Sequence, residues 1–110
     1  MSISMSISAG VGSITSVPII GGAPINIVAP EVKGELFPGG QLDCSTGTWE
    51  NNPYDFQYQW YRDGVAIFAT DVPIYILTAD DVDRNISCLV IAINEFGKTP
   101  QFSNSVYIPL

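Results

Sequence analysis

The side chains best suited to chemistry in this sequence are its carboxylates, and the densest group is Asp80, Asp81 and Asp83. Several carboxylate oxygens close together suit a hard cation such as calcium, although this spacing matches no EF-hand loop. The alternative is that Thr78 or an aspartate caps a short helical turn, which is the commoner use of such residues. We therefore predict no metal site.

Catalysis would need partners for these acids that the sequence does not offer. It contains no histidine, which removes the commonest general base and any histidine-based triad. Its serines are not set in a Gly-x-Ser-x-Gly turn. Glycoside hydrolysis by paired acids also needs a concave sugar-binding cleft. A domain of roughly 80 residues rarely forms one. The sequence therefore predicts a protein that is not an enzyme and has no cofactor.

Composition and charge argue against further classes of protein: disordered, nucleic-acid-binding, lipid-binding and membrane-spanning. The 110 residues are 46% hydrophobic and 14% charged, the balance of one folded domain and not of a disordered chain. Eleven acids against four bases give a net charge of −7, so we predict no nucleic-acid partner and no attraction to anionic lipid. No apolar run approaches the roughly 18 residues of a membrane span.

The N-terminal stretch is distinct, because the first charged residue is Glu31. The chain opens with MSIS twice, so Ile3, Met5 and Ile7 alternate with serines, the period of an extended strand. We predict that residues 1–23 form an extended arm, which is either a flexible leader or a strand that pairs with a neighbour. A basic start and a continuous apolar stretch are both missing, so no secretory signal is predicted.

The second predicted unit, residues 24–110, reads as short strands divided by turns, an all-β pattern. Its strongest hairpin signal is Asp63-Gly64. About seven strands at this spacing favour an antiparallel β-sandwich or a small barrel. The predicted strands are Ile25–Val32, Gly40–Ser45, Phe56–Arg62, Val65–Phe68, Ile74–Leu77, Ile86–Ile93 and Phe102–Ile108.

The period-two rule divides these strands into faces. It turns Phe56, Tyr58 and Trp60 toward one side of the third strand, and Tyr75 and Leu77 toward one side of the fifth. We predict that these five large side chains lie in the core.

The order and spacing of five motifs narrow the fold. They are CSTGTW at 44–49, YQWYRDGVAI at 58–67, YILTADDV at 75–82, ISC at 86–88 and NEFG at 94–97. Together they resemble the immunoglobulin-like modules of bacterial surface proteins and tailed-phage virions, over about residues 30–108. The resemblance implies an immunoglobulin-like antiparallel β-sandwich with a structural or adhesive role. Two departures are Asp83, where a glycine is usual, and Ile86, where a tyrosine corner has its aromatic residue.

The resemblance also implies that Cys44 and Cys88 face each other across the core, with Trp60 packed on them. A disulfide would close a loop of roughly 45 residues and stabilise the fold by on the order of 4 kcal/mol. The alternative is two buried thiols in a reducing compartment.

Apolar residues on sheet faces that should be exposed to solvent predict surfaces that contact another molecule. Leu89, Ile91 and Ile93 point outward on the sixth strand, and Ile74 and Ile76 on the fifth. A sheet face exposed to water normally carries polar residues at such positions. The alternative is ordinary scattered exposure.

A further surface is the end of the domain where two loops meet. Tyr54 and Phe96 lie on these loops and could present aromatic rings to a glycan or a protein. Trp49, by contrast, is expected to cap the core.

The resemblance, taken with the missing secretory signal, implies a virion protein that is made in the host cytoplasm and acts outside the cell. We expect a capsid decoration protein that binds the major capsid protein, or another virion protein, through its arm and apolar outer faces, with homo-oligomers as a further option. The alternative is a carbohydrate- or host-surface-binding module of a tail fibre or bacterial adhesin, which acts through the loop tips.

Overall fold

The computed structural model describes residues 21–67 and 71–110, and it confirms the predicted all-β class. The predictions for Ile3, Met5 and Ile7 lie outside the described residues. In those two ranges, no helix is long and apolar enough to cross a membrane.

Ten short strands and one 3-10 turn form the described part of the chain. The strands are β1 (Ile25–Val28), β2 (Val32–Gly34), β3 (Gln41–Cys44), β4 (Thr48–Glu50), β5 (Asp55–Arg62), β6 (Val65–Ala66), β7 (Ile74–Ile76), β8 (Asn85–Asn94), β9 (Gly97–Phe102) and β10 (Val106–Tyr107), and the 3-10 turn is Ala79–Asp81.

The strands pair antiparallel in three sheets. The largest sheet has five strands in the order β9-β8-β5-β6, with β10 also paired to β8. A three-stranded sheet has the order β2-β3-β7, and β1 pairs with β4. The long strand β8 is therefore central, with β9 and β5 on its two sides.

The predicted strand Ile25–Val32 is divided in the structure, which is one reason that the described strands exceed the expected seven. β1 pairs with β4, whereas β2 pairs with β3 in a different sheet. Pro30 lies between the two strands and has no N–H to donate, so a continuous ladder is interrupted there.

The sequence predicted no strand over residues 97–101 and one strand over Phe102–Ile108. The structure instead has β9 at Gly97–Phe102 and the shorter β10 at Val106–Tyr107. The turn at Glu95 and Phe96 is so tight that Gly97 already pairs with Asn94. Pro100 argues against a strand in the sequence, yet it is tolerated because hydrogen-bonded positions alternate along an antiparallel ladder. The Ser103 N–H bonds to a β8 carbonyl, so position 100 turns toward the free edge, where a missing N–H costs little.

The predicted hairpin at Asp63-Gly64 is present. Arg62 pairs with Val65 across it. Asp63 and Gly64 both have positive φ, 49° and 80°, as the tight turn between twisted strands requires.

The two larger sheets contribute to one hydrophobic cluster. Trp60 is fully buried, stacks on Tyr75 at 5.5 Å and donates its indole N–H to the Val72 carbonyl at 3.0 Å. Leu77 is 2% exposed. Phe56, Tyr58 and Tyr75 are half-buried against the cluster.

Candidate functional site

The outer face of the five-stranded sheet follows from its register. Side chains of directly paired residues lie on the same face, so three rows run across β9, β8 and β5. We call this surface the outer face: its rows are Phe102–Leu89–Gln59, Pro100–Ile91–Gln57 and Lys98–Ile93–Asp55, with Tyr61 beside the first row.

An apolar strip runs down the middle of the outer face. Leu89, Ile91 and Ile93 are half-buried by their neighbours, and Phe102 is 47% exposed. The rings of Phe102 and Tyr61 meet edge to face, with centroids 5.0 Å apart. The structure thus groups the three predicted β8 residues with two aromatic rings. The sequence placed Tyr61 beside these residues, because it faces the same way as they do at the end of the third predicted strand, but it did not join Phe102 to them.

An open depression of about 290 Å³ adjoins this strip, lined by Gln57, Tyr58, Gln59, Asp71 and Ile91. The Gln59 amide donates to the Ile67 carbonyl at 2.9 Å, and Asp71 accepts the Tyr58 N–H at 2.6 Å. These bonds hold the polar groups in place. One carboxylate and two amides can bind a polar group.

The second predicted apolar surface lies elsewhere. Ile74 and Ile76 are 43% and 50% exposed on β7, the edge strand of the three-stranded sheet. They stand opposite Asp43 and Gln41. The structure therefore does not bring them together with the outer face.

The predicted tip residues are strongly exposed, Tyr54 at 72% and Phe96 at 58%. Trp49 is half-buried, packs near Phe56 with ring centroids 6.5 Å apart and donates its indole N–H to the Thr46 carbonyl at 2.6 Å. Trp49 thus belongs to the margin of the core, whereas Tyr54 and Phe96 are open to a partner.

Asn94 organises this tip and was missed in the sequence. It is 6% exposed, and its amide nitrogen donates to the carbonyls of Gly22 and Asn51 at 2.7 and 2.8 Å. Its amide oxygen accepts the N–H groups of Phe96 and Gly97 at 2.8 and 3.1 Å. One side chain therefore joins the segment before β1, the loop before β5 and the turn after β8.

Replacement of Asn94 by alanine is expected to lower the free energy of unfolding by about 2–3 kcal/mol, because four backbone groups lose their partner. Urea unfolding of Asn94→Ala and of the exposed, same-strand control Asn85→Ala measures this effect. Equal midpoints for the two variants would show that water replaces the asparagine at no cost.

Asp81 is the most buried charged group that the structure describes. It pairs with Arg62 at 2.7 Å, accepts the Tyr75 hydroxyl at 2.8 Å and accepts the Thr78 N–H at 2.8 Å. Burial raises the pKa of Asp81, but hydrogen bonds from Thr78, Tyr75 and Arg62 outweigh it, so the pKa lies below its ordinary value. Asp81 thus bridges the 3-10 turn and β5.

Two of the three acids considered for calcium have partners within the protein. Asp81 faces its three donors, and Asp83 accepts the Tyr107 hydroxyl. Among residues 21–67 and 71–110, no group of three or more acidic or cysteine side chains could hold a metal ion.

No family model, curated protein or solved structure matches the chain. Its function is therefore inferred from the outer face, the β7 edge and the tip.

Cys44 and Cys88 are both buried, one in each of the two larger sheets, and both belong to the shared hydrophobic cluster. A hydrogen bond with Cys44, together with burial, raises the pKa of the Cys88 thiol. Both residues are thiols in the structure, and the disulfide stays a prediction.

Proposed function

We propose that this chain is a non-enzymatic structural protein of a tailed-phage virion, an immunoglobulin-like β-sandwich that binds the capsid lattice. The observation that carries the proposal is the apolar strip of Leu89, Ile91 and Ile93 on a central strand. Such a strip on a sheet face that no described layer covers favours a protein contact.

The sandwich architecture is supported by the shared core. Leu42 and Cys44 from the three-stranded sheet join Trp60 and Cys88 from the five-stranded sheet in one cluster. Two antiparallel sheets with a common core are the arrangement that this kind of sandwich requires.

A binding role is favoured over catalysis by the use of the polar groups. Asp81 is neutralised by Arg62, and Asp63 is paired with Arg84 at 3.1 Å. These ion pairs fix turns and strands, so these two acids serve the fold, and the apolar strip remains the main contact surface.

The arm adds a second contact in this proposal. Ordering one extended residue costs about 1–2 kcal/mol, so three apolar anchors cannot offset the cost alone. A partner's strand edge would cover Ile3, Met5 and Ile7 and supply backbone hydrogen bonds. Ile74 and Ile76 on the β7 edge offer a further apolar contact with the lattice.

Ile91→Asp tests the outer face. The variant is expected to stay folded, because Ile91 is half-buried on the outer face, and to bind capsid shells at least about tenfold more weakly, since a desolvated charge costs more than 1.4 kcal/mol. Co-sedimentation with shells of the same phage measures binding. In the same assay, deletion of residues 2–9 tests the arm and is expected to reduce binding to the shells.

The matched control is Val65→Asp, which adds the same charge at a position that is 68% exposed. If both aspartate variants bind shells equally well, the outer face has no part in binding. If Ile91→Asp unfolds the domain, Ile91 belongs to the core and the assignment of faces is wrong.

A second candidate function is recognition of a glycan or a host surface by the tip. The exposure of Tyr54 and Phe96 favours it. In that case Tyr54→Ala and Phe96→Ala would abolish binding to a glycan array, and Ile91→Asp would leave it unchanged.

A further inference from the structure

Two opposite charges flank the apolar strip in a single row. Lys98 on β9 and Asp55 on β5 are both paired with Ile93 on β8, one from each side. Both charged residues are exposed. They stand two strands apart, about 10 Å, with Ile93 between them and both side chains projecting outward from the sheet, and the structure forms no ion pair between them.

Neither residue has an ion-pair partner among the described residues, whose two salt bridges are Arg62–Asp81 and Arg84–Asp63. The other outer-face residues in the three rows are uncharged. The three rows therefore carry one positive and one negative charge, symmetrically placed about the central strand, while the Asp71 carboxylate of the adjoining depression accepts the Tyr58 N–H.

We propose that the outer face binds a second copy of the chain about a two-fold axis parallel to β8. This inference rests on the proposed function, in that the outer face is a protein-binding surface. Rotation about that axis exchanges the two flanks, so Lys98 of each copy meets Asp55 of the other. The interface gains two equivalent ion pairs.

The same rotation places the strip against itself. Leu89, Ile91 and Ile93 each meet the matching residue of the second copy, and Phe102 lies over Gln59. Sheets that face each other pack about 10 Å apart with strands within about 30° of parallel, a gap that lysine and aspartate side chains can close from opposite sides.

The charges also select the axis. A two-fold axis across the strands would reverse the order of the rows and set Lys98 against the Phe102 end of β9. No opposite charge stands there on the outer face. Only the axis along β8 makes the surface complementary to itself.

The expected association is weak. Three strands by five residues give a footprint of about 250 Å² per copy, whereas standard interfaces bury about 800 Å² per partner. We expect a Kd of about 10 µM to 1 mM in free solution. On a lattice a dimer would present two arms, which raises the retention of each through effective concentration.

Sedimentation equilibrium of the full chain at concentrations from micromolar to millimolar tests the dimer. Lys98→Glu places two acidic pairs in the interface, and Asp55→Lys places two basic pairs there. Each single variant is expected to raise the dimer Kd at least tenfold. The double variant Lys98→Glu/Asp55→Lys restores both pairs and is expected within about threefold of wild type.

Heterodimer formation in an equimolar mixture of the two single variants is the most discriminating test. In a mixed pair the introduced glutamate of one variant would meet the introduced lysine of the other, and the unchanged Asp55 of the first would meet the unchanged Lys98 of the second. A heterodimer is therefore expected where neither variant dimerises alone. Lys33→Glu, an equal charge change on the three-stranded sheet, should leave the Kd unchanged. Circular dichroism verifies that every variant is folded.

A wild-type chain that stays monomeric at millimolar concentration overturns the inference, as does a mixture that fails to form heterodimers. If Ile91→Asp then still weakens shell binding, the outer face binds another protein and the proposed function survives. If the dimer forms but Ile91→Asp binds shells normally, the proposed function is wrong and this inference stands.

Discussion

Replacement of Trp60 by alanine is expected to lower the free energy of unfolding by about 3–5 kcal/mol. Trp60 is fully buried, stacks on Tyr75 and contributes to the cluster shared by the two larger sheets. Its removal leaves a large cavity and strands the Val72 carbonyl, which accepts its indole N–H. Small domains are stable by only about 5–15 kcal/mol, so the variant is expected near the threshold of folding.

Trp60→Phe separates packing from hydrogen bonding. Phenylalanine keeps much of the ring volume but leaves the Val72 carbonyl unpaired. Its free energy of unfolding is therefore expected to lie between those of wild type and Trp60→Ala. Gln57→Ala is the control on the opposite face of β5. Urea midpoints followed by circular dichroism give all three values, and similar midpoints for Trp60→Ala and Gln57→Ala would contradict the assignment of inner and outer faces.

Replacement of Asp81 by asparagine is expected to cost about 2–4 kcal/mol. The carboxylate is inaccessible to solvent and holds Arg62, Tyr75 and Thr78 together. Asparagine keeps the shape but cannot neutralise Arg62. The Arg62 side chain is 28% exposed, and its contact with water reduces the loss below that for a fully buried pair. Asp80→Asn, on the exposed side of the same turn, is the control.

Acid unfolding should report the same carboxylate. Because the folded-state pKa of Asp81 lies below its ordinary value of 3.8, its contribution is fully present above that pH. It is lost as the pH falls through the folded-state pKa. Urea midpoints from pH 7 to 2 should therefore decrease below about pH 4, and less steeply in Asp81→Asn than in Asp80→Asn.

The urea midpoint of Asp81→Asn is still expected to decrease somewhat as the pH falls. The pKa of Asp63 is also lowered, by the Asn85 N–H and by Arg84, so this carboxylate loses its interactions over a similar range. Identical pH profiles for the two asparagine variants would show that Asp81 does not contribute through its charge.

Alternation was enough to predict the faces of β5, because large apolar residues recur there at every second position. In β8 the residues from Cys88 to Ile93 are all apolar, so its inner face was assigned from Cys88 through the motif resemblance. Alternation failed for β9, where Gly97, Lys98 and Pro100 lack a strand-forming character. That strand is fixed by its partner: the tight turn after Asn94 brings it alongside β8. Tertiary pairing outweighs local propensity there.

In the candidate site too, local sequence pattern identified some residues and only tertiary pairing brought in the others. Leu89, Ile91 and Ile93 could be named from the sequence because their period is local. Lys98 and Asp55 could not be joined to them, since 43 positions separate the two charges and only the register across three strands places them in one row. The role of Asn94 was missed for a similar reason, because two of its partners, Gly22 and Asn51, come from distant segments of the chain.

Strand β8 also determines how the domain would carry tension. Gly22 is fixed to Asn94 at one end of this strand, and Ile108 is bonded to the Arg84 carbonyl just before its other end. The two attachment points are therefore separated by about 30 Å along the strand. A pulling force between them would be parallel to β8, so it would load the pairing of β10 with β8 along the length of these strands. Strands loaded in this direction must slide past one another, which resists force better than opening bonds one at a time.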